Sequence, residues 1–335
     1  MKNRDCKQNI SRFILHSFLT VARTNMNPLI ADAPSNITAE HRGHSLAAKV
    51  AAVAEVLLAF AVVHVAFRAI KQFTAWGKFE GEAHLNFTPG SVMILFSFGV
   101  LALLRRNFVV YGLTFAGWRE NLKLGTLIGM VLVAGAGLLA LVGVQHEPGR
   151  RFPTMTEGVI YGLAVLLAVI LFTLLLKRQR ALLNKIPVSL CMSLLICLLI
   201  APVFVALIFG RPAIHTLLTC LWLIIGAGCG EEIFYRGYIQ SRINEAFGRP
   251  FRLSQVQFGF GLFFSAFLFG FLHTLNSVDY FQQRFTFAWG FGLANIATGL
   301  LYGILRETSG SVFTGIVTHA ILDVLVIIPG LISGP

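Results

Sequence analysis

Long apolar runs separated by short polar stretches dominate this chain. Nine such runs fall near 46–67, 88–104, 124–144, 158–176, 187–209, 213–235, 254–275, 286–305 and 311–331. A helix needs roughly 20 apolar residues to cross a bilayer, and it satisfies its backbone hydrogen bonds internally, as lipid demands. The pattern predicts an all-α, polytopic transmembrane helical bundle of eight or nine spans. The second run is short, and a re-entrant or interfacial segment there would give the lower count. Residues 1–45 are polar and mixed, and read as a cytoplasmic, partly disordered leader. Its apolar patch Phe13–Ala22 is interrupted by His16, Ser17 and Thr20, with no small-residue cleavage site after it. That argues against a cleaved signal peptide.

Composition agrees with the pattern. Of 335 residues, 56% are hydrophobic and 13% charged, against about 25% charged in a soluble domain. The net charge of +12 invites a nucleic-acid reading, but its placement argues for another one. With a cytoplasmic N-terminus, twenty of the 27 Lys and Arg residues fall on one side of the nine spans and seven on the other. This is the positive-inside bias of an oriented membrane protein, and no basic, aromatic-interleaved patch suggests DNA or RNA. The expected setting is the lipid bilayer, as a multi-pass integral protein of a bacterial inner membrane. Cys6, Cys191, Cys197, Cys220 and Cys229 are odd in number and lack metal-ligand spacing. They read as small core residues without a disulfide framework.

Ionisable residues inside the spans carry the functional signal, because a charge at membrane depth costs several kcal/mol, about 2.5–3.5 on insertion scales. In the first span Glu55 and His64, with Lys49 nearby, are expected near helix ends or facing other helices. The sixth run ends in Gly226-Ala-Gly-Cys-Gly-Glu231-Glu232-Ile-Phe-Tyr-Arg236. Glu232 and Arg236 are four apart and can pair on one helical face. Glu231 sits about 100° away with no obvious cation in its own helix. Gly226, Gly228 and Gly230 permit close approach of another helix or of a substrate backbone. Phe269 and His273 are again four apart, placing ring and imidazole on one face. His319 and Asp323 repeat the spacing inside the last span. A bundle buries such residues best by turning them toward one another. The convergent set of Glu231, Glu232, Arg236, His273, His319 and Asp323 offers a base, imidazoles and polar groups for an oxyanion. One tension remains in this reading. Glu231 and His319 fall toward the cytoplasmic side, whereas His273 falls near the far end of its helix, so that helix is expected to be offset or broken near Asn276-Ser277.

The three motifs E-E-x-x-x-R, F-x-x-x-H and H-x-x-x-D, in this order on successive helices, resemble those of the CPBP (Abi) family. These are the CAAX-protease and bacteriocin-processing intramembrane peptidases, which include the type II CAAX prenyl endopeptidases. The resemblance covers about residues 211–330, with a softer echo in Tyr111-Gly-Leu-Thr-Phe. It implies an N-terminal set of transmembrane helices over 46–210 and a catalytic core over 211–335. It implies that Glu231 is the catalytic glutamate, supported by Glu232 and Arg236, with Phe269 and His273 in the second motif and His319 and Asp323 in the third. Many members carry Asn where this chain has Asp323. An ionised carboxylate cannot donate to an oxyanion, so Asp323 either is protonated or orients His319.

Two mechanisms follow from the resemblance. In one, Glu231 and His273 hold and deprotonate water; in the other, Glu231, His273 and His319 bind Zn²⁺, which acidifies the water. The metal-free route is preferred, since no H-E-x-x-H motif is present, and no cofactor is otherwise implied. The expected function is an intramembrane endopeptidase acting on membrane-associated proteins or peptides, at a C-terminus, leader or sorting signal. The alternatives are a non-proteolytic bacteriocin-immunity or scaffold protein of the same fold, and a transporter using the same buried groups.

Overall fold

Helix α1 (Leu46–Phe73) displays the design of the bundle. Ser45 caps it by accepting the Ala48 N–H at 3.3 Å. Its buried residues Ala52, Val56, Ala59, Val63 and Phe67 recur every three or four positions, forming one narrow face. Leu57, Leu58, Val62 and Val65 on the other faces stay exposed. Apolar surface of that extent belongs against lipid.

The computed structural model describes residues 45–141 and 152–333; the leader of residues 1–44 lies outside them. After α1 come α2 (Ala75–Glu82), α3 (Phe87–Leu103), α4 (Trp118–Leu141), α5 (Met155–Lys185) and α6 (Val188–Ile208). A long helix, α7, covers Ala213–Phe247. It is followed by α8 (Phe260–Thr274), α9 (Trp289–Ser309), α10 (Phe313–Val326) and α11 (Ile328–Ser333). Two small antiparallel hairpins interrupt the helices. In β1 (Phe251–Leu253) and β2 (Val256–Phe258), Phe251 lies opposite Phe258; in β3 (Val278–Asp279) and β4 (Arg284–Phe285), Val278 lies opposite Phe285.

Among the described residues, seven helices are long and apolar enough to cross a membrane. The remaining two of the nine apolar runs are the 17-residue α3 and the 21-residue α9, which is diluted by Gly, Asn and Thr. Helix α3 runs from one end of the bundle to the other. At its start Asn86 accepts from Lys71 Nζ at 2.7 Å. Just past its end Arg106 grips Glu55 with two bonds of 2.6 and 2.8 Å. The sixth run extends well beyond residue 235, which leaves Glu231 near the middle of α7. The seventh begins late, because residues 251–258 form a hairpin and α8 starts only at Phe260. His273 therefore closes a short helix, and a 3₁₀ turn, Leu275–Ser277, follows it. These shifted ends remove the tension over depth.

Two ends of the bundle are defined by their contacts. At the first, Glu55 also accepts from Arg242 Nε and Tyr238 Oη, both at 2.8 Å. Beside it Tyr111 Oη donates to Glu245 at 2.7 Å, and burial with that carboxylate pushes the Tyr111 phenol upward, so it remains a donor. At the second end Arg68 donates to the Leu275 carbonyl at 3.1 Å, His215 Nε2 lies 2.9 Å from the Ala83 carbonyl, and Arg211 donates to that of Leu331 at 3.1 Å. His64 Nε2 lies 3.2 Å from Tyr280 Oη. Of the cysteines, Cys191 and Cys220 are buried, but Cys197 is exposed on the apolar surface of α6 and is not a core residue.

Small residues let α3 lie against α7. A Cβ on Gly90 would collide with the Gly226 carbonyl, and one on Gly230 would come within 2.5 Å of Gly90 Cα. Gly99, further along α3, has nothing within 4 Å of such a Cβ. Overpacking costs about 1–3 kcal/mol. Gly90→Ala should therefore lower the thermal unfolding midpoint in detergent, while Gly99→Ala in the same helix should be neutral or slightly stabilising. Equal midpoints for the two variants would refute the close packing of α3 on α7.

Candidate active site

The site grows from one stretch of α7. Leu223–Gln240 is wound as a π-helix, an uncommon geometry that usually appears as single turns at functional sites. Ser241 Oγ donates to the Arg236 carbonyl, five residues back, at 3.2 Å. Glu232 and Arg236 are both fully buried, with Arg236 Nη1 3.0 Å from Glu232 Oε1. Three neutral groups also surround the guanidinium. Arg236 Nη2 reaches toward the Gly299 carbonyl at 3.4 Å. Phe269 and Tyr302 present their rings at 4.3 and 5.0 Å from the guanidinium carbon, distances suited to cation–π attraction.

Helix α10 brings the third motif onto this pair. His319 Nδ1 lies 3.1 Å from Glu232 Oε1, so Glu232 holds both Arg236 and the imidazole. The other nitrogen, Nε2, lies 3.4 Å from Asp323 Oδ2 and 3.8 Å from Glu231 Oε2. The His319 ring stacks on Tyr302 with centroids 4.7 Å apart. A glycine admits this contact, since a Cβ on Gly315 would fall 2.5 Å from Glu232 Oε2. Helix α10 can therefore descend onto the carboxylate.

Helix α8 supplies the second motif. Phe269 and His273 have ring centroids 4.5 Å apart. His273 Nδ1 lies 2.8 Å from the Phe269 carbonyl. A carbonyl only accepts, so Nδ1 carries the proton and Nε2 is left for another partner. Glu231 and His273 line one cavity of about 190 Å³, together with Arg68, Lys71, Asn86 and Asn276. The structure thus gathers Glu231, Glu232, Arg236, Phe269, His319 and Asp323 through direct contacts, and joins His273 to Glu231 through that cavity. Sequence reasoning missed Tyr302, a lone tyrosine on α9 with no motif around it. It also missed Arg68 and Lys71, which lie just past the first apolar run.

Glu231, His273 and His319 have donor types that suit zinc. Among the described residues, however, no three His, Cys, Asp or Glu side chains are gathered at a spacing that would hold an ion. We derive no step through a metal.

Removing one partner of a buried ion pair costs about 3–5 kcal/mol, because the other charge is left uncompensated. Glu232→Gln and Arg236→Gln should each lower stability on that scale in thermal unfolding of the purified protein. The double variant should lose less than the two combined, since neither charge is stranded. Additive losses would show that the pair is not coupled.

No curated protein and no solved structure matches the chain. Residues 213–325 match a family model described as Rce1-like: Type II CAAX prenyl endopeptidase Rce1-like. The match spans α7 to α10, which carry every motif residue of the site, so the C-terminal region of this multi-pass membrane protein is similar to the Rce1-like, type II CAAX prenyl endopeptidases.

Proposed function

We propose that the protein hydrolyses peptide bonds of membrane-associated substrates with a water activated by Glu231. The observation that carries this reading is the division of labour between adjacent carboxylates. Glu232 is sealed between Arg236 and His319, whereas Glu231 borders a cavity beside His273. A base must reach both water and substrate, and Glu231 is the carboxylate of the two placed to do so. His273, with Nδ1 committed to the Phe269 carbonyl, offers Nε2 to hold the same water.

The steps balance without a further reactant. Glu231 takes a proton from water as the oxygen bonds to the substrate carbonyl carbon, and the C=O π electrons move onto its oxygen. On collapse the C–N bond breaks, and the amine leaves with the proton from Glu231. His319, in its protonated form, can donate from Nε2 to Asp323 or to the developing oxyanion, while Glu232 fixes the ring through Nδ1. Asp323, 3.4 Å from Nε2, fits an orienting role for His319 better than a direct oxyanion contact. Helices α1 and α3 also line the cavity, through Phe67, Arg68, Lys71 and Met93.

Cleavage of a quenched peptide library by protein in liposomes tests the reading. General-base catalysis contributes about 10²–10⁴-fold, so Glu231→Gln should reduce the rate on that scale and His273→Ala should also impair it. A chelator should leave the wild-type rate unchanged. Equal rates for wild type and Glu231→Gln would remove the glutamate mechanism. Loss on chelation with recovery on added zinc would replace it with a metal-dependent one.

A further inference from the structure

We infer that the cavity containing Glu231 and His273 opens on the side of the membrane opposite the Lys/Arg-rich cytoplasmic face. This deepens the reading of Glu231 as the catalytic base, on which it rests, by naming the substrate class as peptide segments exposed at, or emerging into, the extracytoplasmic surface.

The argument starts from where the cavity walls belong. Arg68 and Lys71 lie in the last turns of α1, Asn86 just before α3, and Asn276 just after α8. All of them sit at the second end of the bundle. Contacts between them tie that end together, as Lys71 Nζ meets Asn86 Oδ1 at 2.7 Å and Arg68 Nη2 meets the Leu275 carbonyl at 3.1 Å. The mouth therefore lies among the α1–α3 and α8–α9 connections. No residue of the Glu55–Arg106–Arg242 cluster lines the cavity.

Charge then orients the two ends. Around the first end stand Lys49, Arg106, Arg119, Lys123, Arg242 and Arg249, with Lys185 and Arg252 in the adjoining segments. The second end has Arg68, Lys71, Lys78, Arg211 and Arg284 among the described residues. Of the twenty basic residues that the sequence assigns to the cytoplasmic side, Arg236 is buried within the bundle. Setting it aside leaves nineteen against seven. Lys and Arg excess in short loops fixes orientation during insertion, so the first end is cytoplasmic and the cavity mouth is not.

Membrane-impermeant thiol labelling of the full-length chain in intact bacterial host cells tests the assignment, read as the gain over the parent with its native cysteines. Gln282→Cys sits in the exposed β3–β4 turn of the second end, and Gln255→Cys in the exposed β1–β2 turn of the first. Gln282→Cys should label without permeabilisation, and Gln255→Cys only after it. Alkaline phosphatase fused after Pro335 guards against a misfolded variant; Arg211 holds the Leu331 carbonyl at the second end, so the fusion should be active. The reverse labelling, or labelling of both sites in intact cells, would overturn the inference. None of these readouts needs hydrolysis. Failure of the Glu231→Gln test with extracytoplasmic labelling would remove the enzyme mechanism and leave the orientation standing, and the converse result would do the opposite.

Discussion

The buried ion pair between Glu232 and Arg236 is the constraint around which the rest of the site is arranged. Neither side chain is exposed to any degree. Two charges taken out of water repay their desolvation only if the geometry is good and their remaining donors and acceptors find partners. The bundle meets part of that demand with groups from three other helices, while Glu232 Oε2 and Arg236 Nε make no hydrogen bond among the described residues. Phe269 on α8 and Tyr302 on α9 offer ring faces to the guanidinium, and His319 on α10 approaches the carboxylate. One ion pair therefore fixes the relative position of α7, α8, α9 and α10, and it does so at the depth where the proposed chemistry takes place.

Close approach is the second requirement, and glycine supplies it. Helix α10 comes near enough to Glu232 for His319 to reach it because residue 315 has no side chain, and α3 fits against α7 through Gly90 and Gly230. Apolar helices gain little hydrophobic energy from each other within lipid, so their association depends on packing and on polar contacts. The glycine contacts and the Glu232 cluster are two expressions of that dependence. Away from them the helices present broad apolar surfaces, as the exposed leucines and valines of α1 illustrate.

Much of this was legible in the residues themselves. Each of the nine apolar runs falls on a helix among the described residues, and seven of those helices are long and apolar enough to cross a bilayer. The i, i+4 spacing of Glu232 and Arg236 announced their pairing, because local helical geometry alone brings them together. Helix ends were less legible. Residues 254–259 adjoin the seventh apolar run but carry Ser254, Gln255 and Gln257, and Val256 and Phe258 pair with Leu253 and Phe251 in a hairpin. The π winding of Leu223–Gln240 has no sequence signature beyond its glycines. The role of Tyr302 depends entirely on which face of α9 meets α7, and hydropathy does not encode that. Arg68 and Lys71 lie in no motif, and only the folded chain places them on the wall that Glu231 shares.

Adjacent carboxylates can do unlike work only when the backbone separates their surroundings. Consecutive residues of a helix point in different directions, so one carboxylate of a neighbouring pair can face a sealed ion pair while the other faces open space. Glu232 meets Arg236 and His319 in full burial, whereas Glu231 keeps some exposure beside His273. Exchanging the environments would defeat both functions. A carboxylate neutralised by Arg236 is a poor base, and a mobile carboxylate at the cavity could not hold Arg236 and His319 in place. On the proposed mechanism the doubled glutamate is one structural residue and one reactive residue carried on a single turn. The cation belongs four positions after the second glutamate, so that the first is left to the cavity.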